Sequence, residues 1–258
     1  MKLRLLISIA ILAFSLLCPL SAAAEENTKD DTTEQDKLAF TLYNKGDYAG
    51  AEKEWRAVLA IRERVLGAEH PDTLMSRNNL ANVLQDQGKN AEAEKEHRAV
   101  LKVRERVLGA EHPDTLQSRV NLAAVLGSQG KNAEAEAENR EVLKLMERVL
   151  GAEHPDTLAS RNNLANALGD QGKNAEEEAE QRAVLKVRER VLGAEHPDVL
   201  MSCYNLALCL AAQKKHKEAL EFMQRAEAGF AKTLGADHPT TKNAKAAREQ
   251  IEAALKAE

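Results

Sequence analysis

Apolar residues recur at helical spacing along most of the chain, in two alternating kinds of segment. The first kind begins at Pro71 and places its apolar residues on one face of a helix: Leu74, Leu80, Ala81 and Leu84. The polar run Gln-Gly-Lys-Asn at 87–90 interrupts this pattern. The second kind then resumes it with Ala91, Ala93, Val100, Leu101, Val107 and Leu108. The pattern predicts a helix-turn-helix unit, with helix A over about 71–87 and helix B over about 91–108.

This helix pair returns at a fixed interval of 42 residues. The peptide Leu-Gly-Ala-Glu-His-Pro-Asp begins at Leu66, Leu108, Leu150 and Leu192, and a diverged copy begins at Leu234. A fixed period of this length predicts a stack of similar supersecondary units. Such stacks expose extended surfaces, so the period favours a binding function over a buried catalytic pocket.

The peptide between two repeats carries residues that end one helix and begin the next. Gly67 can take the left-handed conformation that ends a helix, and Pro71 suits a first helical turn because its φ is preset. Asp72 places negative charge at the positive end of the helix dipole. The histidines of this peptide are His70, His112, His154, His196 and His238. Stacked repeats lie on the order of 10 Å apart, too far for shared zinc ligands, so we assign these histidines to the turns and predict no metal site.

The positions Leu80, Ala81, Leu84, Gly88, Ala93 and Val100 resemble the tetratricopeptide repeat. The long period, Asn-Asn-Leu-Ala in helix A and Arg-Val-Leu-Gly-Ala-Glu-His-Pro-Asp between repeats resemble the kinesin light chain type of that repeat. The resemblance implies an all-α, right-handed α-solenoid of five helix-turn-helix repeats with a C-terminal capping helix. The predicted segments are repeat 1 at 36–66, repeat 2 at 67–108, repeat 3 at 109–150, repeat 4 at 151–192, repeat 5 at 193–234 and the cap at 235–258.

Several residues depart from the family pattern. A helix B position that is often aromatic in the family holds Trp55 and Met223 in the outer repeats, but His97, Asn139 and Gln181 in the middle ones. Glu177 stands where a small alanine is expected. Two expectations stay open for the middle repeats: looser packing of the helix pairs, or polar side chains turned to solvent.

The resemblance also implies a binding surface, because helix A lines the concave groove of tetratricopeptide proteins. An asparagine there often holds the backbone of a bound extended peptide, and its carboxamide offers both a donor and an acceptor. The corresponding residues are Asn79, Asn121, Asn163 and Asn205, with Asn78, Asn82, Asn162 and Asn166 on or near the same face. The alternative is that copying of one repeat multiplied a single asparagine without any binding role.

A ladder of arginines accompanies the asparagines, at Arg77, Arg119 and Arg161. Two interpretations are open for it. The guanidinium groups can contact acidic groups of a ligand, or they can pair with glutamates of the adjoining helix.

The N-terminal residues predict export. Lys2 and Arg4 precede an apolar run from Leu5 to Leu17, and small residues at 22–24 follow, which is the pattern of a secretory signal peptide over 1–24. The apolar run is shorter than the roughly 20 residues that span a bilayer, so we expect cleavage and no stable membrane insertion. Residues 25–35 are polar and charged and are predicted to be a disordered lead-in. The expected location is periplasmic or secreted.

Charge and cysteine content narrow the function further. The formal net charge of −5 becomes −7 once Lys2 and Arg4 leave with the signal peptide, which disfavours nucleic acid as a partner. Cys203 and Cys209 lie six residues apart in a predicted helix, about 9 Å along its axis, beyond the reach of a mutual disulfide. We expect two small buried side chains, with an intermolecular disulfide as the alternative.

No catalytic motif is present in the sequence: the glycines stand singly at turns, and the histidines lack metalloprotease spacing. We therefore expect no enzymatic activity and no cofactor. The predicted function is an exported interaction module that binds a peptide segment of a partner protein in its groove. The alternative is a structural subunit that assembles with itself or with an envelope complex through its end faces and acidic convex surface.

Overall fold

A computed structural model describes residues 32–257, and every regular element in that range is a helix. The helices are α1 at 32–44, α2 at Tyr48–Val65, α3 at Pro71–Asp86, α4 at Asn90–Leu108, α5 at Pro113–Ser128, α6 at Asn132–Leu150, α7 at Pro155–Gly169, α8 at Asn174–Leu192, α9 at Pro197–Ala212, α10 at His216–Leu234 and α11 at Pro239–Lys256. Each odd-numbered helix from α1 to α9 is a helix A, and the next helix is its helix B. The predicted signal peptide and most of the predicted lead-in lie outside the described residues.

The last four residues of the predicted lead-in, 32–35, belong to α1 and are helical. Thr32 is buried and accepts a hydrogen bond from Arg62 of α2 at 3.3 Å. Arg62 also pairs with Asp36 at 2.5 Å. The first helix A therefore begins four residues before the predicted start of repeat 1. Its polar residues Thr32 and Asp36 have a partner in Arg62, which the sequence pattern did not indicate.

The chain forms two compact units, one that ends at Ala110 and one that begins at Glu111. In the first unit, α2 packs against α3 and α3 against α4. In the second unit, each helix from α5 to α10 packs against the next one, and α11 packs against α10 and α9. Consecutive helices thus pair throughout each unit, which confirms the predicted all-α solenoid of helix-turn-helix repeats.

Each helix that follows a repeat boundary begins on a histidine that caps it. The Nδ1 atom of His70 accepts a hydrogen bond from the backbone N–H of Asp72 at 3.2 Å, and Pro71 occupies the first turn. The same bond forms at the four other histidines, His112, His154, His196 and His238. The imidazole therefore supplies one acceptor to the free N–H groups of the first turn, a role usually held by Ser, Thr, Asp or Asn.

The glycine before each cap has a positive φ, but its ψ differs from the left-handed helical value that its position suggested. Gly109 has φ 90° and ψ 162°, and Gly235 has φ 91° and ψ 157°. This combination of angles is essentially confined to glycine. The boundary therefore tolerates neither alanine nor the asparagine that often replaces a helix-ending glycine.

The polar side chains at the departing helix B position are buried in all three middle repeats. His97, Asn139 and Gln181 point into the interior as Trp55 and Met223 do. They do not turn to solvent, so that alternative is wrong. His97 makes no hydrogen bond through either ring nitrogen within the described chain, and burial lowers its pKa to about 4. The middle repeats accordingly carry polar groups in their core at an energetic cost.

Repeat 5 has an apolar core by contrast. Leu206, Leu210, Met223 and Phe230 pack with Ala244 and Ile251 of α11. Cys203 and Cys209 are free and buried in this repeat, and burial raises the pKa of each thiol to about 11. Their burial confirms the expectation of small core side chains and leaves neither sulfur exposed for an intermolecular disulfide.

Successive B helices are joined at the surface by a repeated polar network. Glu52 accepts hydrogen bonds from Gln87 at 2.9 Å and from Lys89 at 2.7 Å, both in the turn of the next repeat. Glu136 does the same with Gln171 at 2.8 Å and Lys173 at 2.6 Å. Burial opposes ionisation of Glu52, but its bonds to Lys89, Gln87 and Arg56 prevail and lower its pKa to about 2. For Glu136 the hydrogen bond from Lys173 is the largest cause of the shift, and the pKa is again lowered to about 2.

Within residues 32–257, no helix combines the length and the hydropathy required to cross a membrane.

Candidate functional site

Two adjoining cavities lie on the helix A side of repeats 3 and 4. The first has a volume of about 370 Å³ and is called the Asn139 cavity; its lining includes Val120, Ala124, Gly127, Asn139, Asn163 and Asp170. The second has a volume of about 280 Å³ and is called the Met146 cavity; its lining includes Asp114, Gln117, Val120, Met146, Asp156 and Asn163. Val120 and Asn163 border both cavities. The two together therefore form one groove along α5 and α7 in the second compact unit.

Small side chains on α5 create the space of the Asn139 cavity. Ala124 occupies the register of Asn166 in repeat 4 and Leu208 in repeat 5. Gly127 lies one turn later, and a Cβ atom built there would meet no atom within 4 Å. With neither position filled, the interior of the repeat is open to the groove.

The buried carboxamide of Asn139 forms the inner wall of this cavity. Asn139 lies on α6, is only 5% exposed, and its side chain makes no hydrogen bond within residues 32–257. A buried carboxamide without partners is unusual, because each unmade hydrogen bond costs free energy. Here the open cavity lies directly against it, so the group is available to a molecule that enters.

Asn163 and Asn166 of α7 supply further carboxamides to the same cavity. The side chain of Asn163 is partly exposed and has no hydrogen-bond partner in the described part of the chain. Asn166 is exposed, and its Oδ1 accepts a long bond of 3.5 Å from Gln181. Asn163 is thus positioned to donate and accept toward both cavities.

The groove is acidic. Asp170 lies at the edge of the Asn139 cavity, and Asp114 and Asp156 lie at the edge of the Met146 cavity. Among the described residues that line the two cavities, none is Lys, Arg or His. The local field therefore favours positive charge.

A further carboxylate lies beside Gly169, the residue that precedes Asp170. Glu177 packs against Gly169, where an added Cβ would lie 2.6 Å from Glu177 Oε2. Burial raises the pKa of Glu177, a hydrogen bond with the Cys209 thiol opposes the rise, and the charge of Asp170 adds to it. The missing side chain of Gly169 is what allows a glutamate at the position where the other repeats have alanine.

The structure brings together only some of the predicted site residues. Asn163 and Asn166 line the Asn139 cavity, whereas Asn121 accepts a hydrogen bond from Gln117 at 2.9 Å. Asn79 and Asn205 are partly exposed at the same register in repeats 2 and 5, and their side chains have no partner within residues 32–257. Asn78, Asn82 and Asn162 are partly buried, and the Oδ1 of Asn162 is a buried acceptor without a bond in the described chain.

The arginine ladder is engaged in ion pairs. Arg77 pairs with Glu63 and lies 3.5 Å from Glu96. Arg119 pairs with Glu138 at 3.2 Å. Arg161 pairs with Glu147 and lies 3.6 Å from Glu180. The structure supports the intramolecular interpretation of these arginines, which link helix A to its neighbouring B helices.

Sequence reasoning missed Asn139, Asp170 and the small residues Ala124 and Gly127. In the sequence, Asn139 differs only in that it stands at a position that is often aromatic in the family. Whether another side chain covers it depends on the residue 15 positions earlier, which is Ala124. That pairing is seen in the ring contact between Phe40 and Trp55 at 5.2 Å and in the bond between Asn166 and Gln181. A comparison of such pairs between repeats would have indicated that Ala124 leaves Asn139 uncovered.

No cluster of three or more His, Cys, Asp or Glu side chains that could hold a metal ion occurs in residues 32–257.

Comparisons with known proteins agree with this architecture. Two family models, both described as Tetratricopeptide repeat, match the chain, one at residues 72–148 and 178–232 and the other at 35–72 and 157–198. Among curated proteins, no sequence matches.

Several solved structures match most of the chain. A putative kinesin light chain from Podosopora anserina with nearly identical TPR-like repeats is 31% identical, with a TM-score of 0.68 over 78% of this chain and 95% of that chain. A variant of the same protein gives 30% identity and a TM-score of 0.70 over the same shares. BtubC (BKLC) from P. vanneervenii is 20% identical, with a TM-score of 0.67 over 85% of this chain and 89% of that chain, which shows a shared fold.

Proposed function

The chain belongs to the tetratricopeptide repeat family, in its kinesin light chain-like form, and from this premise we propose that it is an exported peptide-binding module. Repeats of this fold serve as protein-interaction scaffolds. In the proposed function, an extended segment of a partner protein lies along the groove of repeats 3 and 4. Export is supported by the signal-peptide pattern of residues 1–24.

Asn163 is the observation that carries the proposal. Its carboxamide borders both cavities and has no partner in the described part of the chain, so its donor and acceptor remain for a ligand. An extended peptide presents an N–H and a C=O at nearly every residue, which a carboxamide can satisfy together. The groove also offers apolar contact through Val120 and Met146.

The decisive experiment places a photo-crosslinking amino acid in the groove of the full chain in the exporting cell. Ala159 is exposed and lines the Met146 cavity, whereas Lys144 is exposed on helix B of repeat 3 and lines neither cavity. We expect a partner to crosslink from position 159 and not from position 144. Equal yields from the two positions would contradict the proposal.

Substitutions then test the role of the asparagines. Asn121→Ala combined with Asn163→Ala should abolish crosslinking from position 159, while the helical circular dichroism signal and the melting temperature stay unchanged. Asn243→Ala, at an exposed asparagine of α11, is the matched control and should leave the yield intact. Crosslinking that survives the double substitution would remove the assigned role of Asn163.

A second candidate function is self-association through the end of repeat 1. Leu38 is 47% exposed, although its counterparts in the other repeats, Leu80, Leu122, Leu164 and Leu206, are buried. If this end joins two copies, light scattering should give a mass above one chain, and Leu38→Lys should reduce that mass. A monomer at high concentration would exclude self-association.

A further inference from the structure

We propose that the Asn139 cavity is a subsite for a cationic side chain, and that the partner segment in the groove carries a lysine or arginine there. This inference rests on the proposed peptide-binding function and adds the chemical class of the ligand. The observations behind it are the carboxamides that line the cavity, of which Asn139 is buried, the charge at the edge of the cavity and the absence of a competing cation in the described lining.

The carboxamide oxygens provide acceptors that a cation requires inside a cavity. Asn139 lies at the inner wall, and Asn163 and Asn166 lie along α7. An ammonium group has three N–H donors and a guanidinium group has five, and neither group accepts hydrogen bonds. Several convergent acceptors therefore match such a side chain, which would donate a hydrogen bond to the unbonded Oδ1 of Asn139.

The charge of the site selects a cation over a neutral donor. Asp170 is exposed at the edge of the Asn139 cavity, where its carboxylate can reach the head group of a long side chain. Asp114 and Asp156 extend the negative field along the rest of the groove. Bonds between a charged donor and a carboxylate are shorter and stronger than neutral ones. An acidic side chain in the Asn139 cavity would meet repulsion from Asp170.

The neighbouring repeats show that this chemistry is local to the Asn139 cavity. In repeat 5 the equivalent positions hold two apolar residues, Leu208, which is 42% exposed, and Met223, which is buried. In repeat 4 Asn166 covers Gln181 and bonds to it. Of these three repeats, repeat 3 combines a small residue on helix A with a buried carboxamide on helix B.

The test uses residues 25–258, the chain expected after removal of the signal peptide. Its ligands are pools of fluorescent nonapeptides that are random except at the central position. The central residue is Arg, Lys, Gln, Ala or Glu in the different pools, and binding is measured by fluorescence anisotropy. We expect the Arg and Lys pools to bind on the order of tenfold more tightly than the Ala pool, as one charged hydrogen bond provides. The preference should weaken at high salt.

Three variants locate the preference. Asp170→Asn should reduce it severalfold, Asp170→Lys should reverse it in favour of the Glu pool, and Asn139→Leu should reduce it without changing the charge. Glu141→Gln, at an exposed acid of α6 that lines neither cavity, is the matched control and should leave the preference unchanged.

The outcomes separate this inference from the proposed function. If every pool binds alike and binding still depends on Asn163, the groove function stands and the cationic subsite is refuted. The subsite is likewise refuted if the preference for Arg and Lys survives both Asp170 variants. If no pool binds above the level of the Asn121→Ala, Asn163→Ala double variant, the peptide-binding function itself fails, and the subsite fails with it.

Discussion

Repeat 5 and repeat 3 share one backbone plan and differ in what fills it. In repeat 5, Met223 and Phe230 are buried in an apolar core, and the position of Ala124 holds Leu208. In repeat 3, the position of Met223 holds Asn139, and Ala124 leaves it facing an open cavity. The outer repeat fills its interior with packed apolar side chains, whereas the middle repeat keeps a polar interior that a ligand can reach. Apolar packing and open space are thus distributed unequally between these two repeats.

The largest change in the free energy of unfolding should come from placing the interior residue of one repeat at the matching position of the other, Met223 and Asn139. Met223→Asn should lower the free energy of unfolding by roughly 3 kcal/mol, because it removes buried apolar volume and adds an unpartnered amide. Asn139→Met should raise it by about 1 kcal/mol, because an unbonded carboxamide is replaced by a side chain that fills space. Urea unfolding followed by circular dichroism measures both changes. Equal losses in the two variants would show that the interiors of the repeats do not differ as described.

Two helical glycines probe the same contrast through packing density. A Cβ atom at Gly229 in repeat 5 would overlap the side chain of Leu200, whereas one at Gly127 would meet nothing within 4 Å. Gly229→Ala should therefore destabilise the protein by about 1–3 kcal/mol through overpacking. Gly127→Ala should stabilise it by about 0.5–1 kcal/mol, the usual preference of a helix for alanine. Thermal unfolding of the two variants should give shifts of opposite sign.

The surface network extends the comparison to repeat 1, where the interior position holds Trp55 in place of the Asn139 of repeat 3, and we expect the network to behave alike in both. Glu52→Gln and Glu136→Gln should each lower stability by about 1 kcal/mol at neutral pH, since each removes a carboxylate that accepts bonds from a lysine and an arginine. The folded-state pKa of about 2 lies below the ordinary value of 4.5, so this stabilisation is complete above pH 4.5 and is lost as the pH falls toward 2. Unfolding measured across that range should show both variants converging on the wild type near pH 2. A different pH profile for the two variants would tie the network to the interior.

The smallest expected effect concerns the turn between helix A and helix B. Lys214 in repeat 5 has φ 62°, at the position where Gly130 and Gly172 have φ 72° and 71°. Lys214→Gly should stabilise the protein by about 0.5 kcal/mol, because relief of the strained φ exceeds the added entropy of the unfolded chain. Gly172→Ala is the reverse control and should destabilise, as thermal unfolding of both variants will measure. A destabilising Lys214→Gly would mean that the lysine side chain makes a contribution larger than the strain.

Local sequence rules predicted the helices well because the relevant interactions are local. Pro71 occupies a first helical turn and Leu108 ends α4, as the pattern indicated. The histidines belong to the turns, but the Nδ1 cap on the N–H two residues later was beyond what spacing alone indicates. The ψ angle of Gly109 was not predicted either, because it depends on how the next helix is oriented.

The groove was only partly predictable because it depends on pairs of residues in different helices. The asparagine register led to Asn163, but the exposed or occupied state of each side chain is set by its neighbours. Asn121 is held by Gln117, and Arg161 by Glu147. The cavity itself arises from what Ala124 and Gly127 lack, and an absent side chain leaves no signal until its neighbour across the helix pair is known.

The bond between Arg62 and Ser76, at 2.6 Å, has a consequence for how such an array can be edited. Arg188 makes the same bond to Ser202 at 2.9 Å, whereas Ser160 follows Met146 at that spacing and its buried hydroxyl has no partner in the described chain. Phe230 is matched by Ala244 at the same spacing. A buried serine hydroxyl is left without a partner when the preceding repeat has another residue in place of the arginine. Cutting the gene at a repeat boundary splits these pairs, and cutting at the internal turn splits pairs such as Asn166 and Gln181. The repeats are therefore not interchangeable cassettes, and a shuffled array would need both kinds of partner carried along.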